Sequence, residues 1–400
     1  MIAMAKTKKQ TEKKLWQEIE SLLHPKFGFI MAGYPKLLGF FGRDSLITSW
    51  QLLELKPEIA RKTLETLAFY QGKEINYKTG EEPGKILHEY YPKETPSDWW
   101  KKYKSHIKWL KRGEPVYFSV DSTPLFLILL DKYWEFKKDK VFLKKIWPSA
   151  KSAINWMINF GGLDTGFLRH EKRNPDEGLM SQSWKDGWGG PIEKITSPIS
   201  MVEVQGYAYL AFLSGIKMAE IMKEPFLEKD LLQRAKKLKK YFNEKFWLPS
   251  ENFFSVAIDG KNQQQKIITS NPGQLLFTGI CETEKIEAVV ERIFKKDLWT
   301  PFGIRTHSAM EPDFDPFSHQ RGTIWPHDNW IIAEGLKEAG FKKEYKVIKK
   351  AIFKAYDEMG ILPEFYSVFN NKIVLELAKK PCYPQAWSSG ALINFIDAEF

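Results

Sequence analysis

Connections between the predicted helices alternate between short and long along this chain. Hydrophobic periodicity predicts about twelve helices. Short turns follow the second, fourth, sixth, eighth and tenth of them, as at Lys137 to Lys140, whereas long connections such as Gly72 to Val120 precede the even helices from the fourth onward. All the long loops therefore lie at one end of a bundle. The predicted helices begin near Thr11, Asp44, Pro57, Asp121, Val141, Val202, Phe226, Pro272, Lys285, Asp328, Lys343 and Pro384.

Composition alternates in step with the loops. The even helices are apolar or small nearly all round, as in TPLFLILLDKYW and VEVQGYAYLAFLSG, while the odd helices carry a charged stripe. Six hairpins with the even helices inside predict an all-α fold, the (α/α)₆ barrel. We expect a single domain over residues 1–400, with residues 1–10 as a flexible basic tail, and a ligand site among the long loops.

Charge and composition exclude several classes of protein. The 60 basic residues are interspersed with 50 acidic ones, so the net charge of +10 does not predict a nucleic-acid-binding stripe. The longest apolar stretch, Pro124 to Leu130, is too short to span a membrane. Cys281 and Cys382 occur in no metal-binding or disulfide pattern, which favours a cytoplasmic location. The sequence does not fix the oligomeric state.

Common catalytic signatures are missing from the sequence. It contains no phosphate-binding loop, dinucleotide fingerprint, zinc-protease motif or nucleophile elbow. His319, His327 and Asp328 match no standard metal spacing, so we expect neither a metal nor an organic cofactor. Asp44, Asp121 and Asp328 have helix N-capping as an alternative interpretation. The chain is rich in aromatic residues, with 15 Trp, 15 Tyr and 28 Phe, and flat rings suit sugar faces as well as cores.

Two carboxylates in the long loops are candidates for acid/base chemistry. Asp186 lies between Trp184 and Trp188, surroundings that favour a raised pKa and hence a general acid. Glu364 lies in another long loop after a proline. Such a pair suits cleavage of a glycosidic bond. The alternative is that Asp186 pairs with a neighbouring lysine and that Glu364 starts an ordinary loop.

A series of motifs runs from about Phe27 to the C-terminus in the order FGRDSLITS, EEPGKILHE, SVDSTPLF, WKDG, VEVQGYAY, ITSNPGQLL, GIRT, IWPHDN, LPE and PQAW. In this order the motifs resemble the catalytic domain of the amylo-α-1,6-glucosidase or glycogen-debranching type among the (α/α)₆ glycosidases. The resemblance implies an inverting α-glycosidase, with Asp186 as general acid and Glu364 as general base. It also implies that Arg43 and Asp44 hold sugar hydroxyls. The other residues that it places around the substrate are His88, Glu89, Asp121, Trp184, Lys185, Gln205, Trp325, His327, Gln385 and Trp387.

The chain departs from this family at two points. Members usually carry an additional N-terminal β-rich domain, whereas here the helical repeat starts almost at once, and Ser181 to Ser183 replaces a common Asn-Gln-Gly. A short α-glucoside, an α-mannoside or a small glycosylated solute is therefore as plausible a substrate as a glycogen branch. The rival interpretations are a phosphorylase on the same barrel, a protein that binds carbohydrate without cleaving it and, more remotely, an epimerase or lyase.

Overall fold

The computed structural model describes residues 2–174, 176–187, 189, 194–377 and 379–398, with side chains from residue 9 onward. Within these residues the chain forms twelve α-helices. They are α1 (Ile2–Ser21), α2 (Gly42–Gln51), α3 (Pro57–Phe69), α4 (Ser97–Tyr103), α5 (Ser122–Lys137), α6 (Lys140–Asn159), α7 (Val202–Met222), α8 (Pro225–Lys245), α9 (Thr283–Ile293), α10 (Pro326–Glu338), α11 (Lys342–Met359) and α12 (Ala386–Asp397).

Six elements form a closed inner ring. In order around the ring they are α2, α5, α7, a short 3₁₀ helix at Asn271–Leu275, α10 and α12, and α12 contacts α2 to close it. The outer layer consists of α1, α3, α6, α8, α9 and α11, each packed against an inner element. The (α/α)₆ barrel predicted from the alternating loops is confirmed.

Local signals set the short turns between inner and outer helices. After α5, Lys138 adopts a left-handed conformation (φ 51°), and the Asp139 carboxylate then accepts a hydrogen bond from Phe142 N at 2.9 Å to cap α6. Lys223 repeats the left-handed turn after α7, and Pro225 starts α8, where its missing N–H costs no helical hydrogen bond. These turns need few residues, so the long loops collect at the opposite end.

Three elements differ from the sequence predictions. The predicted helix near Pro272 is only the 3₁₀ helix, which packs so closely on α10 that a Cβ on Gly273 would lie 3.0 Å from Ile332. Helix α4 was not predicted, because seven residues inside a long connection give too little periodicity to detect. Helix α1 starts at Ile2, before the predicted start near Thr11.

The strands are short ladders of two or three residues. Their bounds are β1 (Phe40–Phe41), β2 (Glu89–Tyr90), β3 (Ser200–Met201), β4 (Trp247–Leu248), β5 (Phe253–Phe254), β6 (Ala257–Ile258), β7 (Gln264–Gln265), β8 (Trp299–Thr300), β9 (Gly303–Ile304), β10 (Ser367–Phe369) and β11 (Lys372–Val374). All pairings are antiparallel. The β1–β2 ladder sets Phe41 opposite Glu89 and so joins the start of α2 to a long loop.

The outer helices bury one face each. On α11, Tyr345, Ile348, Ile352 and Ala355 point inward, while the lysines between them stay at the surface. The inner helices are buried nearly all round, as their composition predicts. None of the described helices combines the length and the apolar character needed to cross a bilayer.

Candidate active site

Arg43 joins two carboxylates at the loop end of the barrel. It lies in the first turn of α2, where only 4% of its surface is exposed. Its Nη1 donates to both carboxylate oxygens of Asp121, at 3.1 and 3.0 Å, and its Nη2 donates to Asp186 Oδ2 at 2.8 Å. Burial alone lowers the pKa of the guanidinium, but the neighbouring carboxylates reverse this and raise it overall. Arg43 therefore stays charged in a buried position.

Asp186 is held as a carboxylate in this geometry. Its side chain is 27% exposed, and His88 Nε2 lies 3.7 Å from Oδ2. Burial raises the pKa of Asp186, but the charges of Arg43 and His88 outweigh that effect and leave the pKa below its ordinary value. The expectation of a raised pKa is therefore wrong here, because it considered only the flanking tryptophans. Trp188, one of the two, lies outside the described residues.

Asp44 is the carboxyl with a strongly raised pKa in this region. It follows Arg43 in α2 and is 4% exposed. Burial raises its pKa to about 7, Arg43 opposes the rise, and the negative charges of Asp186 and Glu364 add to it. The amide of Gln385 lies 3.4 Å from Asp44 Oδ1. Near neutral pH, a proton in this group of carboxylates therefore resides on Asp44 rather than on Asp186.

Glu364 is fixed by the backbone of a neighbouring loop. Its Oε2 accepts a hydrogen bond from Cys382 N at 2.9 Å, and its own N–H donates to Cys382 O, also at 2.9 Å. Its Oε1 faces His319 Nε2 at 3.9 Å. Burial raises the pKa of Glu364, but His319, the Cys382 N–H and Lys379 together lower it below the ordinary value. Glu364 is thus held ionised, as a general base requires.

The two candidate carboxylates lie in one region although they are distant in sequence. The negative charges of both Asp186 and Glu364 act on Asp44, on His319 and on Lys379. The glycine after Asp186 packs against His319, since a Cβ on Gly187 would lie 2.7 Å from His319 Nδ1. The barrel therefore brings together the carboxylates that the sequence singled out.

The tryptophans expected to line the substrate pack mainly against one another. Trp184, Trp325 and Trp387 are at most 3% exposed. The ring of His327 stacks on Trp387 with a centroid separation of 3.7 Å, and Trp184 meets His327 edge-on. These rings form a buried aromatic cluster. They offer little open surface for a sugar to stack on, whereas the sequence predicted such a stacking surface.

Buried polar residues adjoin this aromatic cluster. Lys185 is fully buried, and its ammonium donates to Thr306 O at 2.5 Å. Burial lowers the pKa of Lys185, and the negative charge of Asp328 opposes that change. Burial raises the pKa of Glu203. The amide of Gln205 donates to Leu168 O and Met201 O and accepts from Leu168 N, so it braces a loop inside the protein.

The N-capping interpretation does not fit the aspartates. Asp121 occupies the N-cap position of α5, but its side chain makes no capping hydrogen bond and binds Arg43 instead. Asp44 and Asp328 lie inside the first turns of α2 and α10, and Asp328 accepts from the Gln274 amide. Glu89, in β2 within the long connection from Gly72 to Val120, lies 3.7 Å from Lys104 Nζ.

Three residues at the site were missed as functional groups in the sequence. The sequence interpretation includes His319 only as a metal ligand or as a group that hydrogen-bonds a ligand or a helix end, and it does not single out Gln320 or Lys379. All three lie in long connections at the loop end, which is the one signal that pointed to them. In the part of the chain that the structure describes, no three His, Cys, Asp or Glu side chains cluster as a metal site.

Comparisons with known proteins give a consistent picture. The family model "Mannosylglycerate hydrolase MGH1-like glycoside hydrolase domain" matches residues 197–370. Two curated relatives, the mannosylglycerate hydrolases MGH1 and MGH2 of Selaginella moellendorffii, are 28% identical over 91 residues, which is 23% of this chain. The matched segment spans only 18% of each of these relatives.

Solved structures resemble the chain over nearly its whole length. A GH63 mannosylglycerate hydrolase from Thermus thermophilus, in complex with Tris, superposes with a TM-score of 0.73 at 14% identity and covers 96% of this chain and 99% of its own. The same enzyme in complex with glucose gives 0.70 at 15% identity, with the same coverage. At such identity the likeness establishes the fold. The chain is therefore an (α/α)₆ barrel, and residues 197–370 of it are similar to a glycoside hydrolase domain.

Proposed function

We propose that the chain is an inverting α-glycosidase that hydrolyses a small α-glycoside of a hydroxy acid, an α-mannoside or α-glucoside of glycerate. The observation that carries the proposal is the placement of Asp186 and Glu364 in one charged group at the loop end, where each acts on His319. Two carboxyls facing one bond supply the acid and the base that inverting hydrolysis needs.

In the proposed reaction, Asp186 gives its proton to the glycosidic oxygen while Glu364 removes a proton from a water that attacks the anomeric carbon from the opposite face. The C–O bond to the leaving group breaks, and the sugar is released with inverted configuration. Arg43 holds a sugar hydroxyl through a charge-assisted hydrogen bond, and Asp44 holds another hydroxyl. A sugar that covers Asp186 and engages Arg43 weakens the ion pair, and both changes raise the pKa of Asp186 toward that of a working acid.

Two kinds of support favour a glycoside of a hydroxy acid. The relatives carry the name mannosylglycerate hydrolase, and one solved structure of the Thermus enzyme contains Tris and D-glycerate. In this chain, the exposed Lys379 places its ammonium 3.1 Å from His319 Nδ1, beside the proposed acid and base. A cation at that point complements a carboxylate on the leaving group.

The resemblance of the sequence motifs to glycogen-debranching enzymes gives a second candidate function, that of an α-1,6-glucosidase. The ordered motifs of the sequence support it, whereas the names of the relatives favour a small substrate. For either substrate we propose a cytoplasmic enzyme, which fits the two buried free thiols Cys281 and Cys382.

The test is hydrolysis of α-mannosylglycerate, α-glucosylglycerate and an α-1,6-linked glucose oligosaccharide, with the anomer of the first sugar product followed by NMR. The expected result is release of β-mannose or β-glucose from a glycerate glycoside. Release from the α-1,6-linked substrate alone would favour the debranching candidate. Turnover only with phosphate would indicate a phosphorylase, and binding without turnover a carbohydrate-binding protein.

A further inference from the structure

We infer that the dipeptide His319–Gln320 positions both catalytic carboxylates: Gln320 holds the loop of the acid Asp186, and His319 orients the base Glu364. The inference rests on the proposed function. It adds two positioning residues that the motif resemblance does not include.

Gln320 brackets Asp186 from both sides. Its Nε2 donates to Trp184 O at 2.9 Å, and its Oε1 accepts from Gly187 N at 3.0 Å. The side chain is 1% exposed, so water does not compete for these bonds. One amide thus ties down the backbone two residues before and one residue after the proposed acid.

The Nε2 atom of His319 faces the base Glu364, and the contact at Nδ1 determines which ring nitrogen carries the proton. The Lys379 ammonium, which has no lone pair to offer, lies 3.1 Å from Nδ1, so Nδ1 accepts. A neutral imidazole then carries its proton on Nε2, and burial lowers the pKa of His319, which favours the neutral ring. Nε2 lies 3.9 Å from Glu364 Oε1 and has no partner within hydrogen-bond distance among the described residues. A shift of about 1 Å makes this contact a normal hydrogen bond, as catalytic contacts often tighten with substrate.

The dipeptide itself is held rigidly. The His319 carbonyl accepts from Thr323 Oγ1 at 2.7 Å and from Trp325 Nε1 at 3.0 Å. The His319 ring meets the edges of Trp325 and Phe365 at centroid distances of 5.0 and 4.9 Å. Gly187 allows the acid loop to approach, because any side chain there would collide with the imidazole. One short segment therefore links the acid to the base and fixes their separation, on which inversion depends.

A glycosyl fluoride separates the two roles. Fluoride leaves without a proton from a general acid, whereas the attacking water still needs the base. For Gln320→Ala we expect a fall of about 100-fold in kcat on the glycerate glycoside, the effect of a misplaced group, with the α-glycosyl fluoride of the same sugar slowed less than about threefold. For His319→Ala we expect both substrates to slow.

His319→Ala has a second readout. The charged groups facing His319 are Glu364, Lys379 and Asp186. Removing the imidazole removes a group that lowers the pKa of Glu364, so the acidic limb of the rate on the fluoride moves to higher pH. His319→Gln, which keeps a donor, is expected to restore part of the rate. An unmoved limb would overturn the assignment of His319 to the base.

Gln71→Ala is the matched control. Its buried amide likewise bonds to the backbone at two places, donating to Gly84 O at 2.8 Å and to Ser149 O at 3.0 Å, but its partners are not those of the acid and base. We expect it to lower the melting temperature and leave the ratio of glycoside to fluoride rates unchanged. If Gln320→Ala slows both substrates equally, the role of Gln320 is structural. The inference then fails while the proposed function stands. If wild type hydrolyses neither substrate, the proposed function fails and the inference with it.

Discussion

Arg43 Nη2 lies 2.8 Å from Asp186 Oδ2, and this ion pair sets the charge of the proposed general acid. The pair links residues that the sequence places 143 positions apart. It keeps the pKa of Asp186 below its ordinary value despite burial. The acid must be protonated to act, so activity is expected to fall as the pH rises through the pKa of Asp186, and the ion pair moves that fall to lower pH.

Arg43→Gln is therefore expected to move the basic limb of the profile of kcat/KM against pH to higher pH. The substitution removes the positive charge that stabilises the Asp186 carboxylate, so its pKa rises and the protonated form persists further. The measurement is kcat/KM across the pH range for wild type, Arg43→Gln and Arg43→Lys. Arg43→Lys retains the charge and is expected to keep the wild-type limb. A limb that stays in place in Arg43→Gln would remove Arg43 as the group that controls the acid.

Asp186→Asn and Glu364→Gln test the acid/base pair itself. We expect each to lower kcat on the glycerate glycoside by about 100-fold to 10,000-fold, the range for loss of a general acid or base. Asp186→Asn is expected to retain much of its rate on the glycosyl fluoride, and Glu364→Gln to lose it, since only the second removes the base.

The controls are the exposed carboxylates Asp164 and Glu376, replaced by Asn and Gln. Both control variants are expected to hydrolyse at wild-type rates, and circular dichroism checks that all four proteins fold. Wild-type activity in either active-site variant contradicts the assignment of that residue.

Lys379→Met tests the charge of the leaving group. The exposed ammonium lies beside the proposed acid and base and complements a carboxylate. We expect KM for the glycerate glycoside to rise about tenfold, the loss of one charge-assisted contact, with KM for the matching methyl α-glycoside unchanged. Lys380→Met is the matched neighbour, because its side chain is also exposed. An equal change in KM for both substrates would argue against recognition of an anionic leaving group.

Asp121→Asn tests the buried part of the same cluster. Both oxygens of Asp121 accept from Arg43, and its side chain is fully buried. Breaking a buried pair leaves a charge undercompensated, so we expect a loss of about 3–5 kcal/mol in the free energy of unfolding. Glu114→Gln, in the exposed pair of Lys111 and Glu114, is expected to cost about 0–1 kcal/mol. Urea denaturation measures both, and equal losses would show that burial of the Arg43 pair has no effect.

Much of the barrel is encoded locally. The spacing of Ile348, Ile352 and Ala355 on α11, and similar patterns elsewhere, predicted the starts of the helices other than α1 and α4 to within a few residues. Local capping signals such as Asp139 and Pro225 set the short turns. The failures are also local: the brief α4 is too short for a periodic signal, and the helix predicted near Pro272 forms only the 3₁₀ helix at Asn271–Leu275.

The sequence by itself determined the alternation of buried and charged helices, hence the toroid, and it placed Asp186 and Glu364 in loops at one end. Only the tertiary structure decided how those carboxylates are controlled. The pKa of Asp186 depends on Arg43, and Glu364 depends on His319 and on the backbone of Cys382. These partners come from separate hairpins and meet only when the ring closes. Their electrostatic effects act through space over a few ångströms, so neither the neighbouring residues nor the helical period contain that information.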